Sequence, residues 1–285
     1  MPQGAVQVSP LVPGAVALEA LAPASLTSAV ALAPPGAVER RYVLARLLAA
    51  LRPGEPLLAL APNDRGGTRL RKELQGFGCE VTETSRHHHR ICHARRPEAP
   101  VGLEAAIEAG GLQFLNGLGL WTQPGVFSWD RLDPGSALLI AELPPLAGRG
   151  ADLGCGVGAL ARAVLASEAV SRLDLVDIDA RAVAAARRNV EDPRAHIHWA
   201  DADDGPELAK LDFVVMNPPF HERGDQDHQL GQAFIRRAYQ ALRSGGTLWM
   251  VANRHLPYEA TLTERFGTVT RRADAGGYKV FEARR

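Results

Sequence analysis

Residues 151–160 read "ADLGCGVGAL", Ala151 to Leu160, an apolar strand end followed by alternating glycines and the start of an alanine-rich helix. Glycine suits a chain that must turn sharply and expose its amides, and the helix N-terminus adds unpaired N–H groups pointing the same way. The stretch predicts one strand–loop–helix unit of a doubly wound α/β sheet, with a nucleotide-like cofactor lying against Gly154, Cys155, Gly156 and Gly158. Gly154, Gly156 and Ala159 also satisfy the relaxed dinucleotide pattern, so the loop alone leaves nicotinamide and S-adenosylmethionine both open. Asp152 favours the second: its carboxylate would repel a pyrophosphate and attract the ammonium of a methionine moiety.

The same rhythm extends on both sides. Downstream come strand "RLDLVDI", helix "ARAVAAARRN", strands "HIHWA" and "LDFVVM", helix "LGQAFIRRAYQAL", strand "TLWMVA" and a closing hairpin, "FGTVTRR" with "GGYKVFEA". Upstream, Asp133 as N-cap and Pro134 at the first helical position open the helix "LDPGSALLIAEL". Together these predict a mostly parallel, doubly wound seven-stranded sheet with a terminal antiparallel hairpin.

Nearer the N-terminus an αβαβ rhythm recurs. One helix carries Val43, Leu44, Leu47, Leu48 and Leu51 on one face; "EPLLALAP" reads as a buried strand; a second helix turns Leu70, Leu74 and Phe77 inward; "CEVTET" and "RICHA" are short strands. The loop after the central strand, "APNDRGG", stands where a glycine fingerprint would stand and lacks its spacing, so this region has a nucleotide-binding layout without a site. Residues 95–111 mix prolines, charges and glycines like a linker, which places a boundary near residue 98, between domains 1–98 and 99–285.

The other strand ends carry the remaining candidates. Asp177, with Ile178 beside it, stands about twenty residues past the glycines, where a carboxylate accepts hydrogen bonds from ribose hydroxyls. Asp179 is the nearby competitor, and helix N-capping is the alternative for either aspartate. After the third strand, Asp201 could accept an adenine amino group while Ala202 offers a backbone amide. The fourth strand ends in "VMNPPFHER", residues 215–223. Asn217 brings an amide oxygen and Pro218 a carbonyl, and neither Pro218 nor Pro219 has an N–H to donate, so the loop is a stiff array of acceptors suited to an NH2 group. Phe220 would stack on a planar, unpaired base. An isolated Asn-Pro-Pro is usually a turn; its place after a glycine loop, a ribose-type acid and an adenine-type acid makes it a site for amino methylation.

Composition bounds the rest. The formal charge is zero, with the basic excess confined to residues 1–96, and the three cysteines form no CxxC pair. An odd cysteine count and the absence of a signal-type opening or long apolar run predict a reduced, cytoplasmic setting without membrane contact. In "SRHHHRICHARR" consecutive histidines alternate across a strand and cannot all face one ion, so no metal is expected; phosphate contact by Arg86, Arg90, Arg95 and Arg96 competes with a solvated charged edge. Cys155 has no partner that would make it a nucleophile.

With "NPPFH", the upstream "PGVFSWDRLDPGSALLI" and the downstream "VANRHLPYEATLTERFGTVTRRADAGGYKVFEA", the chain resembles the bacterial ribosomal RNA guanine-N2 methyltransferases, particularly the small subunit methyltransferase C family, over most of its length. The resemblance implies tandem Rossmann-like class I methyltransferase domains, the first degenerate and helping to hold RNA, the second transferring methyl from S-adenosylmethionine to a guanine N2 of 16S ribosomal RNA, naked or in an assembled subunit. It implies that Asn217, Pro218 and Phe220 form the guanine site, with Pro219 and His221 beside the substrate. The Gly154–Gly158 loop and Asp177 would bind cofactor, with Phe127 near it. His221 either contacts RNA or packs on its neighbours. Adenine-N6 or protein-glutamine methylation, and a noncatalytic RNA-binding scaffold, stay as alternatives.

Overall fold

The computed structural model describes residues 4–202, 205–219 and 225–285, with side chains at 225–228 left aside. The chain divides into two compact units, one built mainly from Gly14–Gln113 and the other mainly from Val126–Arg285.

In the first unit, β1 (Ala29–Leu32), α1 (Ala37–Ala50), β2 (Pro56–Pro62), α2 (Gly67–Gly76), β3 (Glu80–Arg86), β4 (His89–Arg95) and α3 (Leu103–Gly110) follow in order. The four strands lie as β1-β2-β4-β3, with β1 parallel to β2 and the other pairs antiparallel. Leu44, Leu47, Leu48 and Leu51 of the first helical face are buried, as are Leu70, Leu74 and Phe77. Helix α3 belongs to this unit: Gly110 lies so close to α1 that a Cβ there would sit 2.3 Å from Tyr42 Cβ. The division between the units therefore falls at Gln113/Phe114, later than the change of composition near residue 98 suggests.

After β2 the chain makes a short 3-10 turn, Asn63–Arg65, and enters α2 through Gly66 at φ 92°. The space beside this turn is filled from within. Arg40, 1% exposed, gives Nε and Nη2 to Glu73 at 2.7 Å each and Nη1 to the carbonyls of Pro34 and Pro35. A Cβ on Gly66 would lie 2.0 Å from Arg40 Nη1. Of the arginines in and just after β4, Arg90 pairs with Glu83, Arg95 donates to Gly54 O and Arg96 to Leu48 O, so these contribute to holding the unit together.

A small ribbon, β5 (Gln113–Leu115) with β6 (Leu120–Thr122), leads into the second unit. There α4 (Pro134–Glu142), β7 (Gly148–Leu153), α5 (Ala159–Leu165), β8 (Val170–Asp177), α6 (Ala180–Asn189), β9 (Ala195–Trp199), β10 (Leu211–Met216), α7 (Asp225–Ala241), β11 (Leu242–Asn253), α8 (Tyr258–Arg265), β12 (Thr268–Ala275) and β13 (Tyr278–Arg284) build a seven-stranded sheet ordered β12-β13-β11-β10-β7-β8-β9. Strands β7 to β11 run parallel, and the β12–β13 hairpin closes the sheet antiparallel. Side chains alternate between two cores, as a sheet covered on both faces requires. Val214 and Met216 pack with Phe234, Ile235 and Leu262 on the α7–α8 side; Phe213 and Val215 pack with Leu139, Leu160 and Val164 on the α4–α5 side.

Candidate active site

The β7 strand stops at Leu153 because its next residues leave extended geometry: Gly154, Gly156 and Gly158 have φ of 72°, 54° and 87°, values L-residues with a Cβ seldom adopt. Gly158 also lies so near α6 that a Cβ would meet Val190 Cγ2 at 2.8 Å. Gly156 differs, since a Cβ there would meet nothing within 4 Å. Its bare backbone faces a cavity lined by Gly154, Cys155, Gly156, Val157, Phe127, Leu132, Asp133, Ser136 and Asn217 among others.

Asp177 at the end of β8 braces this loop: Oδ2 accepts the Gly156 N–H and Oδ1 the Asp179 N–H, both at 2.8 Å. Burial raises its pKa, partly offset by those two bonds. Each carboxylate oxygen has a second lone pair, so two acceptor sites are left for hydroxyls of a ligand. Asp179 itself caps α6, accepting the Arg181 N–H and pairing with the Arg181 guanidinium. Of the two aspartates weighed in the sequence, Asp179 takes the capping role.

Asn217 follows β10, and its amide is held in one orientation. Nδ2 donates to Asp133 Oδ2 and to Ser136 Oγ, each at 2.9 Å, so both amide hydrogens are used. Oδ1 is buried and has no hydrogen-bond partner among the described residues. Asp133 also caps α4, its Oδ2 accepting the Ser136 N–H at 2.8 Å. The sequence reveals Asp133 only as a cap and does not single out Ser136; nothing local links either to Asn217.

Asp152 sits deeper than its sequence position suggests. Ala151 and Leu153 face the α7–α8 core, so strand alternation turns Asp152 to the other face, beneath the glycine loop. It is fully buried and does not line the cavity, and neither carboxylate oxygen has a partner among the described residues. Burial first, and the charge of Asp177 second, push its pKa up to about 8. The Ala161 N–H opposes that shift without reaching hydrogen-bond geometry. Cys155 is likewise buried and its thiol pushed far up, which excludes a thiolate nucleophile.

The sheet order sets the candidates in a row. With β10, β7, β8 and β9 adjacent, Asn217, the glycine loop, Asp177 and Asp201 mark four successive strand ends. Three strand spacings span about 14 Å, room for a nucleoside with an amino-acid tail. Ile178 is 38% exposed beside Asp177, an apolar surface for a flat ring, and Phe127 at 58% exposure offers another on the cavity wall. Asp201 is exposed, while Ala202 is buried with its carbonyl taken by Arg237 Nε at 3.0 Å. Pro218 is buried and Pro219 half-buried. Phe220 and His221 lie outside the described residues. The open backbone at Gly156, the spare lone pairs of Asp177 and Asn217 Oδ1, unpartnered among the described residues, fit a nucleoside cofactor with an amine substrate at its methyl end.

Comparison with known proteins points the same way. Residues 117–282 match the methyltransferase small domain family. Ribosomal RNA small subunit methyltransferase C of Pseudomonas aeruginosa is 36% identical over 266 residues, covering 91% of this chain and 79% of that protein. The protein of the same name from Shewanella loihica is 32% identical over 239 residues, with coverages of 82% and 70%. Among solved structures, the T. thermophilus 16S rRNA N2 guanine methyltransferase in complex with AdoMet and guanosine aligns with a TM-score of 0.79 at 28% identity, covering 95% of this chain and 76% of that one.

Proposed function

Because this chain belongs to the ribosomal RNA small subunit methyltransferase C family, we infer that it transfers the methyl group of S-adenosylmethionine to the exocyclic N2 of a guanine in 16S ribosomal RNA. The observation that carries the reading is Asn217, whose amide is pinned through both Nδ2 hydrogens while Oδ1 has no partner among the described residues.

Bound S-adenosylmethionine supplies an electrophilic methyl on a sulfonium. The residues of the chain have to bring a weak nucleophile to it. An aromatic NH2 group is weak because its lone pair is delocalised into the ring. Asn217 Oδ1 and the Pro218 carbonyl accept the two N–H bonds of guanine N2 and aim the lone pair along the transfer axis, a positional and electrostatic contribution. Phe220 stacks on the base and offsets part of the cost of taking it out of its RNA stack, and Pro219 and His221 flank it. The methylated nitrogen carries an acidic proton, so solvent suffices to remove it. Asp177 holds the ribose, Ile178 and Asp201 the adenine side, with Ala202 behind, and Asp152 lies buried beneath the Gly154–Gly158 loop, out of direct contact with the methionine end; Phe127 closes the apolar wall.

The first unit is, in this reading, a methyltransferase-like domain that no longer binds cofactor, with Arg40 in place of a glycine loop, and contributes to holding RNA. The setting is cytoplasmic, and the partner is ribosomal RNA or the assembled small subunit. No described helix is long and apolar enough to cross a membrane. Incubation with methyl-labelled cofactor and small-subunit RNA is expected to label the RNA. Asn217→Ala should bind cofactor with unchanged affinity and lose at least about a hundredfold in transfer rate, on the order expected for removing a key polar group. Wild-type transfer by that variant would contradict the role of the amide.

A further inference from the structure

We propose that Asp133 and Ser136 are positioning residues for the transfer, a clamp that fixes which end of the Asn217 amide meets the substrate. The inference rests on the function proposed above.

An asparagine amide has an acceptor end and a donor end of nearly the same shape, and a half-turn about its last torsion exchanges them. With the donor end forward, the site would present N–H against the N–H of an amine, and recognition would fail. The alternative is closed off here. Nδ2 spends one hydrogen on Asp133 Oδ2 and the other on Ser136 Oγ, at 2.9 Å each, and both residues are buried, at 8% and 9% exposure. Rotating the amide would place Oδ1 against the Asp133 carboxylate, acceptor against acceptor in a site with little water; the Ser136 hydroxyl could turn to donate, so Asp133 is the partner that sets the orientation. A carboxylate accepting from Nδ2–H also draws electron density onto Oδ1, which makes it a stronger acceptor for an incoming N–H.

The arrangement asks more of residue 133 than capping does. Serine caps a helix as well as aspartate does, through the same bond to the amide three residues on. It is too short, however, to reach both the Ser136 N–H and the Asn217 side chain, 84 residues away in sequence. Asp133 serves both with one oxygen. The start of α4 is set close to the sheet to allow this: a Cβ on Gly135 would lie 2.8 Å from the Tyr278 ring and 3.0 Å from Asp133 Oδ2.

Two variants separate the clamp from the cap. Asp133→Ser keeps the helix cap, so the protein should stay folded and bind cofactor, its melting temperature lowered only by the buried Asn217 N–H left without an acceptor, while kcat for RNA methylation falls on the order of tenfold to a hundredfold with KM little changed. Asp133→Asn retains an oxygen that can accept both bonds and should restore most of kcat. The clamp is also read without turnover, from the side-chain amide protons of Asn217 by NMR: they should exchange slowly in the wild type and faster in Asp133→Ser and Ser136→Ala. Wild-type kcat in Asp133→Ser, or amide protons whose exchange is the same in all three proteins, would overturn the proposal. Should the wild type methylate an amine other than guanine N2, the function proposed above fails, and the amide exchange still decides the clamp.

Discussion

A carboxyl group that is sealed from water and without a hydrogen-bond partner holds its proton until the solution is alkaline, and among the described residues Asp152 is in that position, with a pKa pushed up to about 8 by burial and then by Asp177. In the unfolded chain the same group titrates near 4. Between about pH 4 and 8 the folded protein therefore binds the extra proton, and the stability contributed by this residue falls as pH rises through that window and levels off above it. Asp152→Asn removes the titration. Urea midpoints measured at pH 5 and pH 9 without cofactor should show the variant gaining on the wild type by on the order of a few kcal/mol at the higher pH; a difference that does not change with pH would contradict the assignment. At this scale the sequence exposes what a motif states locally. Asn217, the glycines and Asp177 are legible because strand ends and spacing place them. The Asp133–Ser136 contact with Asn217 is not, since it joins positions 81 and 84 residues apart. The depth of Asp152 is also hidden, because it depends on which face of β7 the helices cover.

Glycines shape the loop between β7 and α5 for different reasons. At Gly158 both the backbone, at φ 87°, and the packing, with Val190 Cγ2 2.8 Å from where a Cβ would lie, oppose a side chain; at Gly156 only the backbone does, at φ 54° with open space around it. Gly158→Ala should thus cost about 1–3 kcal/mol of stability and loosen the α5–α6 contact, whereas Gly156→Ala should cost about 1 kcal/mol and act mainly on cofactor affinity. Denaturation midpoints and cofactor titration of the two variants check this; equal stability losses would show that the Val190 contact is unimportant. Elements with a full period were readable: "ARAVAAARRN" is α6 residue for residue, and the strands of the main sheet follow one another along the chain as the pattern suggests. Those missed are short. Strand β1 has four residues in an alanine-rich stretch, β5 and β6 have three each, and α8 buries only Tyr258, Thr261 and Leu262 of its eight. Such segments show no usable periodicity, and their neighbours decide their conformation.

Across the whole chain, the two units share an α/β rhythm, yet the second has the open glycine loop and the first has Arg40 bound to Glu73 and two proline carbonyls. The sequence already separates them through the missing glycines of "APNDRGG", but what fills the space could not be read, since Arg40 lies on a helix whose apolar face gives no sign that it is buried. Among the described residues, the ends of β7, β8 and β10 are where we propose that cofactor and amine meet. The most direct test of that account is to incubate the purified chain with methyl-labelled S-adenosylmethionine and small-subunit RNA, both naked and assembled. The RNA is then digested to nucleosides and the labelled one identified by mass spectrometry. The account predicts N2-methylguanosine; label on adenine N6 or on a protein glutamine would contradict it.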